Sequence, residues 1–254
     1  MTVVLPNIRK LFVPDPGYII LDADLKGADA LVVAKECNDQ SLMDAAKGTF
    51  DLHTDNAVEM IGLDIWQTYD TQKRHKLRQQ FKSAVHGTNY IASARTLALT
   101  FGWQTSFAER FQSYWFKHHP GVRDWHRRTE SELFRSRTAS NRFGYRIIYF
   151  DRIDGLLPEA LAWIPQSTVA ETCFRGALQL EERCPWVEIL IQVHDSLVFQ
   201  IPKTYYHEDR LREIYSALHV PVPYDPPLII PWKLSASDKS WGDCREINLE
   251  LQVA

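Results

Sequence analysis

The sequence has little cysteine and nothing arranged around it. Its four cysteines, Cys37, Cys173, Cys184 and Cys244, form no CxxC pair and no metal-ligand spacing. That points to buried or free thiols rather than a disulfide framework or a zinc site. Redox chemistry is not expected. No apolar run approaches the roughly 18 residues that a membrane span requires, and Met1-Thr2-Val3 lacks the basic start and apolar core of a secretory signal. A cytoplasmic protein is expected. There is no internal repeat and no low-complexity segment. Nor is there an excess of positive charge: the net charge is -3 and the isoelectric point is near 6.3. This weighs mildly against a nucleic-acid-binding domain, since these are often basic overall.

What is present is ordinary in bulk and uneven in detail. The 254 residues are 45% hydrophobic and 24% charged, enough to bury a sizeable core as one large domain or two lobes. Yet Lys73, Arg74, Lys76, Arg78 and Lys82 lie within ten residues, and Arg123, Arg127, Arg128, Arg135, Arg137, Arg142, Arg146 and Arg152 crowd another thirty.

Two acidic stretches stand far apart. Tyr18-Ile19-Ile20-Leu21 leads into Asp22-Ala23-Asp24, and Val187-Glu188-Ile189-Leu190-Ile191 leads into Gln192-Val193-His194-Asp195. Each apolar, β-branched run reads as a buried strand. If the two strands pair, Asp24 and Asp195 face each other across one sheet edge, and carboxylates that close need cations to offset their repulsion. Hard oxygen ligands imply Mg²⁺ or Mn²⁺. Strand alternation puts Asp22 on the same face as Asp24, which makes it a rival ligand. Taken alone, either aspartate is as well explained by a turn or a helix cap.

The stretch between them changes that balance. From Thr71 to about Tyr90 there is no proline, and Arg78, Lys82 and His86 recur every four residues with Tyr90 one turn further on. Leu77, Phe81, Ala84 and Val85 lie largely on the other side and are expected to pack inward. The bland alternative is a solvated amphipathic helix. A purely cationic face without acids at i+4, ending in a polar ring and an aromatic, instead suits a triphosphate followed by a base.

The remaining elements follow in order. A helix is expected beyond Gly27, another after an Asp51 N-cap, and an aromatic-rich helical stretch over 105–135 broken at Pro120-Gly121. Asn141 to Arg146 reads as a basic turn and Ile147 to Phe150 as a strand. Pro165-Gln166-Ser167-Thr168 precedes a helix to about Arg183; a further helix covers about Tyr206 to Leu218, and a final strand Leu228 to Leu234.

Side by side, these stretches resemble the family A DNA polymerases over nearly the whole chain. Asp24-Leu25-Lys26-Gly27-Ala28-Asp29 looks like their first motif, Arg78-x3-Lys82-x3-His86-Gly87-x2-Tyr90 like their nucleotide-binding helix, and Gln192-Val193-His194-Asp195 like their third motif. Asp51-Leu52-His53-Thr54 and Phe143-Gly144 also have counterparts. The resemblance implies a mixed α+β fold: a palm with an antiparallel sheet, formed from residues 1–45 and 141–254, and an inserted helical fingers subdomain, 46–140. It implies template-directed addition of a deoxynucleotide (dNTP) to a primer 3′-hydroxyl by a two-metal mechanism.

Carried over by position, the resemblance makes Asp24 and Asp195 the catalytic metal ligands, with the Leu25 carbonyl completing the second ion. His53, Arg78 and Lys82 would hold the phosphates, His86 would face the sugar and base, and Tyr90 would stack at the templating position. Asp29 would exclude ribonucleotides. Gln166 would read the minor-groove edge of the new pair, His194 would touch the primer terminus, and Arg142 and Arg146 would track a phosphate backbone of the primer-template DNA.

The departures are equally specific. Asp29 is one methylene shorter than the family's Glu, His86 replaces Phe or Tyr, Ile91 replaces a glycine, and Ser196 stands where a third acid usually follows the His-Asp pair. The family's thumb, and the exonuclease domain of many members, would precede the first motif, whereas this chain starts near Leu5-Pro6-Asn7-Ile8-Arg9. A split polymerase is therefore expected, with a second polypeptide supplying the thumb and, in some arrangements, the exonuclease. The competing readings are a non-catalytic polymerase-like subunit that binds DNA or a partner, and a different metal-dependent phosphoryl-transfer enzyme such as a nuclease.

Overall fold

The protein is described from a computed structural model covering residues 7–150 and 152–247. In chain order, β1 (Tyr18–Leu25) precedes a helical run of α1 (Ala28–Cys37), α2 (Gln40–Lys47), α3 (Leu52–Ile61), α4 (Leu63–Thr68), α5 (Thr71–Asn89), α6 (Ala94–Phe101), α7 (Thr105–His118) and α8 (Pro120–Ser136). A short hairpin, β2 (Thr138–Ser140) and β3 (Arg146–Ile148), leads to the long α9 (Leu157–Arg183). Then come β4 (Glu188–Val193), β5 (Ser196–Pro202), α10 (Glu208–Ala217), β6 (Pro221–Val222), β7 (Leu228–Ile229), β8 (Trp232–Ser237) and β9 (Arg245–Glu246). Among the described residues no helix is long and apolar enough to cross a membrane.

Local chemistry sets the helix boundaries. The side chains of Asp39, Asp51, Asp70 and Ser93 accept from the backbone N–H groups of Leu42, Thr54, Lys73 and Thr96, so α2, α3, α5 and α6 each start on an oxygen cap. Gly48 and Gly102 end α2 and α6 in the left-handed region, where a side chain would be strained.

By contacts the chain divides into two compact units, 1–29 with 166–254, and 30–165. By these contacts residues 30–45 and 141–165 group with the helical unit. The reason is long-range pairing inside the second unit. Arg142 donates twice to buried Glu36 of α1, both contacts at 2.7 Å, and His119 pairs with Asp39 at 2.8 Å.

The first unit is built on an antiparallel sheet of order β4-β5-β1-β8-β9. β1 lies at its centre. Leu21, Ala23 and Leu25 are buried on one face, each at most 1% exposed, while Ile20, Asp22 and Asp24 share the other. Across the ladder Asp24 faces Ser196 of β5 and Lys233 of β8, and Asp22 faces Val198 and Ser235.

Four expectations are corrected here. β1 does not pair with the strand before His194-Asp195; it pairs with the strand after it, because the chain turns back at that dipeptide. β4 is consequently an edge strand and not a buried one: Ile189 and Leu190 are 37% and 44% exposed, whereas Ser196 to Ile201 of β5 are buried throughout. The final strand is interrupted, β7 pairing with β6 and β8 with β1, with Pro231 between them. Pro165 does not precede a helix but lies inside α9. A proline removes one N–H from the ladder, and here burial of Ala160, Leu161 and Ile164 in the preceding turns keeps the helix continuous.

In the second unit, Phe81, Ala84 and Val85 of α5 are buried as expected, and Phe81 packs against Trp103, Phe107 and Phe111. A fully buried side chain of this size contributes about 1.5–3 kcal/mol, which holds the inner face of α5 firmly while its outer face stays exposed.

Candidate active site

The first unit gathers its acids where β1 ends. Val193 pairs with Ser196, leaving His194 and Asp195 as a two-residue loop with His194 in the left-handed region at φ 53. The Gln192 side chain donates to the His194 carbonyl at 2.6 Å and holds the loop closed. The Leu25 N–H then donates to the Asp195 carbonyl at 2.9 Å. One backbone bond thus fastens the loop bearing Asp195 beside the end of the strand bearing Asp24.

Electrostatics report the same proximity. Burial, followed by the charges of Asp195 and Asp22, pushes the Asp24 carboxyl above the usual range, and Lys233 and Arg9 oppose the rise. Lys233 is itself shared with Glu246 at 3.1 Å. Burial, followed by the charges of Asp195 and Asp24, pushes the Cys173 thiol up to about 12, so it stays protonated. Asp22 differs from Asp24: one oxygen accepts from Trp241 Nε1 at 2.7 Å, and the other is buried without a hydrogen-bond partner among the described residues.

This donor set fits a hard divalent cation. Like charges are held close and a carboxylate oxygen lacks a donor, both of which a cation would offset. Among the described residues no three His, Cys, Asp or Glu side chains form a cage for an ion. Any ion held by Asp24 and Asp195 would complete its shell with water, the Leu25 carbonyl or substrate oxygens.

The second unit presents the cationic helix. On α5, Arg78 is half-buried and Lys82 and His86 are exposed. The ring of His86 meets that of Tyr90 edge-on, centroids 4.7 Å apart. Tyr90 closes the helix and is followed by Ile91 at φ 64, a left-handed conformation that costs a β-branched residue about 1–2 kcal/mol. The face is not purely cationic: Arg78 Nε donates to Asp51 at 2.7 Å. Asp51 is also the cap of α3 and accepts from the Thr54 hydroxyl at 2.7 Å, so its carboxyl is held down at about 2 by Arg78 and Thr54 against the cost of burial. His53, two residues on, is pushed down to about 4 by burial and then by Arg78 and Lys82, with Asp51 opposing. It is neutral at pH 7, and its Nδ1 has no hydrogen-bond partner among the described residues.

The remaining candidates are scattered. Asp29 lies in the first turn of α1, where a carboxylate suits the helix dipole. Gln166 is exposed on α9, His194 is exposed on the loop and Arg146 is exposed at the start of β3. Arg142 is committed to Glu36, so a phosphate would compete with an ion pair whose acid is only 5% exposed. Sequence reasoning missed Lys233, Arg9 and Trp241. Lys233 becomes a neighbour of Asp24 only through β1–β8 register, which no local pattern encodes.

The family model for "DNA polymerase family A" matches residues 3–225. The chain belongs to DNA polymerase family A. Its relatives include the thermostable DNA polymerase I of Thermus filiformis, 28% identical over 250 residues covering 94% of this chain and 29% of that protein. The DNA polymerase of Mycobacterium phage D29 is 26% identical over 196 residues, 77% of this chain and 31% of that one. The family A fold is also found in the solved POL domain of Pol1 from M. smegmatis in complex with DNA primer-template and dNTP. That match has a TM-score of 0.75 and 22% identity, covering 92% of this chain and 42% of that chain. The chain thus spans less than a third of the length of the first two relatives.

Proposed function

We propose that this chain is the catalytic portion of a DNA-directed DNA polymerase, adding deoxynucleotides to a primer 3′-hydroxyl opposite a template. The observation that carries this is the bond from the Leu25 N–H to the Asp195 carbonyl, which fastens the loop bearing Asp195 beside the end of the strand bearing Asp24 in a member of family A. Asp24 and Asp195, with the Leu25 carbonyl, would hold divalent ions, Mg²⁺ by the chemistry of the oxygen donors. Bound there, such ions would supply a lowered pKa for the attacking hydroxyl and a counter-charge for the leaving pyrophosphate.

The chain's other residues bind and orient. Arg78 and Lys82 hold the triphosphate, with His53 as a donor once protonated beside it, neutralising charge that grows on the leaving group. His86 faces the sugar, Tyr90 stacks at the templating position, and Asp29 limits room at the 2′ position. Gln166 and His194 contact the new pair and the primer end, and Arg142 and Arg146 contact the DNA backbone. Residues 1–45 and 141–254 act as palm and 46–140 as fingers.

We further propose a split arrangement, in which a second polypeptide supplies the thumb and any exonuclease. A net charge of -3, low for a surface that grips DNA alone, supports it. Primer extension with Mg²⁺, with and without a thumb-bearing polymerase fragment, is the test. Incorporation that requires Asp24 and Asp195 supports the proposal. Its absence in both settings, with DNA binding retained, would leave a non-catalytic binding subunit instead.

A further inference from the structure

We propose that Asp22, fixed by Trp241, is a positioning residue that supplies a third carboxylate charge behind Asp24 and Asp195 and so tightens their hold on a divalent ion. This rests on the metal-binding reading above. The face of the sheet around Asp22 gives an acid little reason to be there. Its strand neighbour Ile20 and its cross-strand neighbour Val198 form a small apolar cluster with Trp241, and Ser235 stands on its other side. A side chain without charge would sit in this setting at no cost. Instead an aspartate is present, and its Oδ2 accepts from the indole N–H at 2.7 Å.

That bond fixes the rotamer and leaves Oδ1 buried with no donor among the described residues. An ionised oxygen in that condition is destabilising unless a cation offsets it. Of the cations nearby, none donates to that oxygen. Lys233 bridges to Glu246 at 3.1 Å, and the Arg9 guanidinium lies over the Trp241 ring, 4.5 Å from its centroid. With one oxygen already held by Trp241, Asp22 is assigned here as a charge beside the ligands and not as a ligand. The residue opposite Asp24 on β5 is Ser196, whose hydroxyl carries no charge, so the third charge on this face comes from Asp22. Groups just outside the coordination shell commonly set metal affinity in this way.

The test is Mn²⁺ binding to the purified chain without nucleotide or DNA, read from the electron paramagnetic resonance of free Mn²⁺. Thermal melting is followed in parallel. Asp22→Asn is isosteric and keeps an acceptor for Trp241, and it is expected to weaken Mn²⁺ binding by about tenfold with little change in melting. Trp241→Phe should weaken binding less, and combining it with Asp22→Asn should add nothing, since the indole acts through the carboxylate. Should Asp22→Asn fold poorly, Asp22→Ser and Trp241→Phe carry the same comparison. Unchanged Mn²⁺ affinity in the Asp22 variants, with Asp24→Asn abolishing it, would overturn this inference alone. No Mn²⁺ binding by the parent chain, or binding unaffected by Asp24→Asn, would overturn both this inference and the metal-binding reading.

Discussion

The backbone N–H of Leu25 donates to the carbonyl of Asp195 across 169 residues of intervening sequence, at 2.9 Å. It lies just past the last β1–β5 pair, Asp24 with Ser196, so the ladder register itself decides which carboxylate stands next to which. A slip by one residue would turn Asp24 to the opposite face of the sheet. The buried row Leu21, Ala23 and Leu25 guards against that slip.

Replacing Asp24 or Asp195 with asparagine is expected to reduce primer extension by at least about a thousandfold, on the scale of losing an essential charge-stabilising group. The fold should persist. Asp24 has its carboxyl pushed up by burial and by Asp195 and Asp22, so its ionised form is a cost to the folded state that grows as pH rises through its raised pKa. Asp24→Asn should therefore melt at the same or a slightly higher temperature at neutral pH, and a large fall would contradict this.

Asp51→Ala removes a helix cap and the partner of Arg78 together. A cost of about 1–2 kcal/mol is expected, dominated by the cap because the ion pair is partly exposed. The Asp51 carboxyl is depressed to about 2. Its contribution is accordingly complete above the unfolded value near 3.8 and is lost as pH falls toward 2. Melting curves of parent and variant should converge over that window.

His53 makes the opposite demand on pH. Its folded value near 4 lies below the ordinary 6.5, so the unfolded chain binds the proton more readily, and stability falls as pH drops from 6.5 toward 4. Proton NMR of the imidazole should show that low titration in the free chain. Pyrophosphate or a nucleoside triphosphate should move it upward by at least about one unit if a bound anion replaces the missing partner of Nδ1. No movement would remove His53 from the phosphate site.

Gly121→Ala should cost about 3 kcal/mol, the upper end of ordinary overpacking. A Cβ there would come within 2.1 Å of the Cys37 carbonyl oxygen, a backbone atom that cannot swing aside. Urea unfolding measures it directly. Gly102→Ala is a poor control, since that position has φ 70 and strains any side chain.

The helical portion of this fold was legible because its signals are local. Asp51 as a cap, the face of α5 and the break at Pro120 can be read within a turn or two. The sheet was not, for reasons in particular residues. An apolar run such as Ile189-Leu190-Ile191 reads the same at an edge as in a centre, while the truly buried β5 carries Gln200 in its middle. Gln200 is tolerated there, 3% exposed, because its amide donates to Asp15 and Glu188, each at 2.7 Å. Pro165 misled because neighbouring burial outweighs one missing backbone bond. Of the site, the two aspartates and the α5 row were readable from spacing; Asp51 beside Arg78, Lys233 beside Asp24 and Trp241 on Asp22 depend on distant strands and helices meeting.

The outermost position of β4 has a bearing on how the protein behaves in a tube. Between Glu188 and Val193 a single charge, Glu188, guards a ribbon whose Ile189 and Leu190 are open to water. Strands in that condition recruit one another edge to edge. Concentrated solutions of the chain should associate reversibly, and a lysine placed at Leu190, where the ladder bulges, should keep them monodisperse.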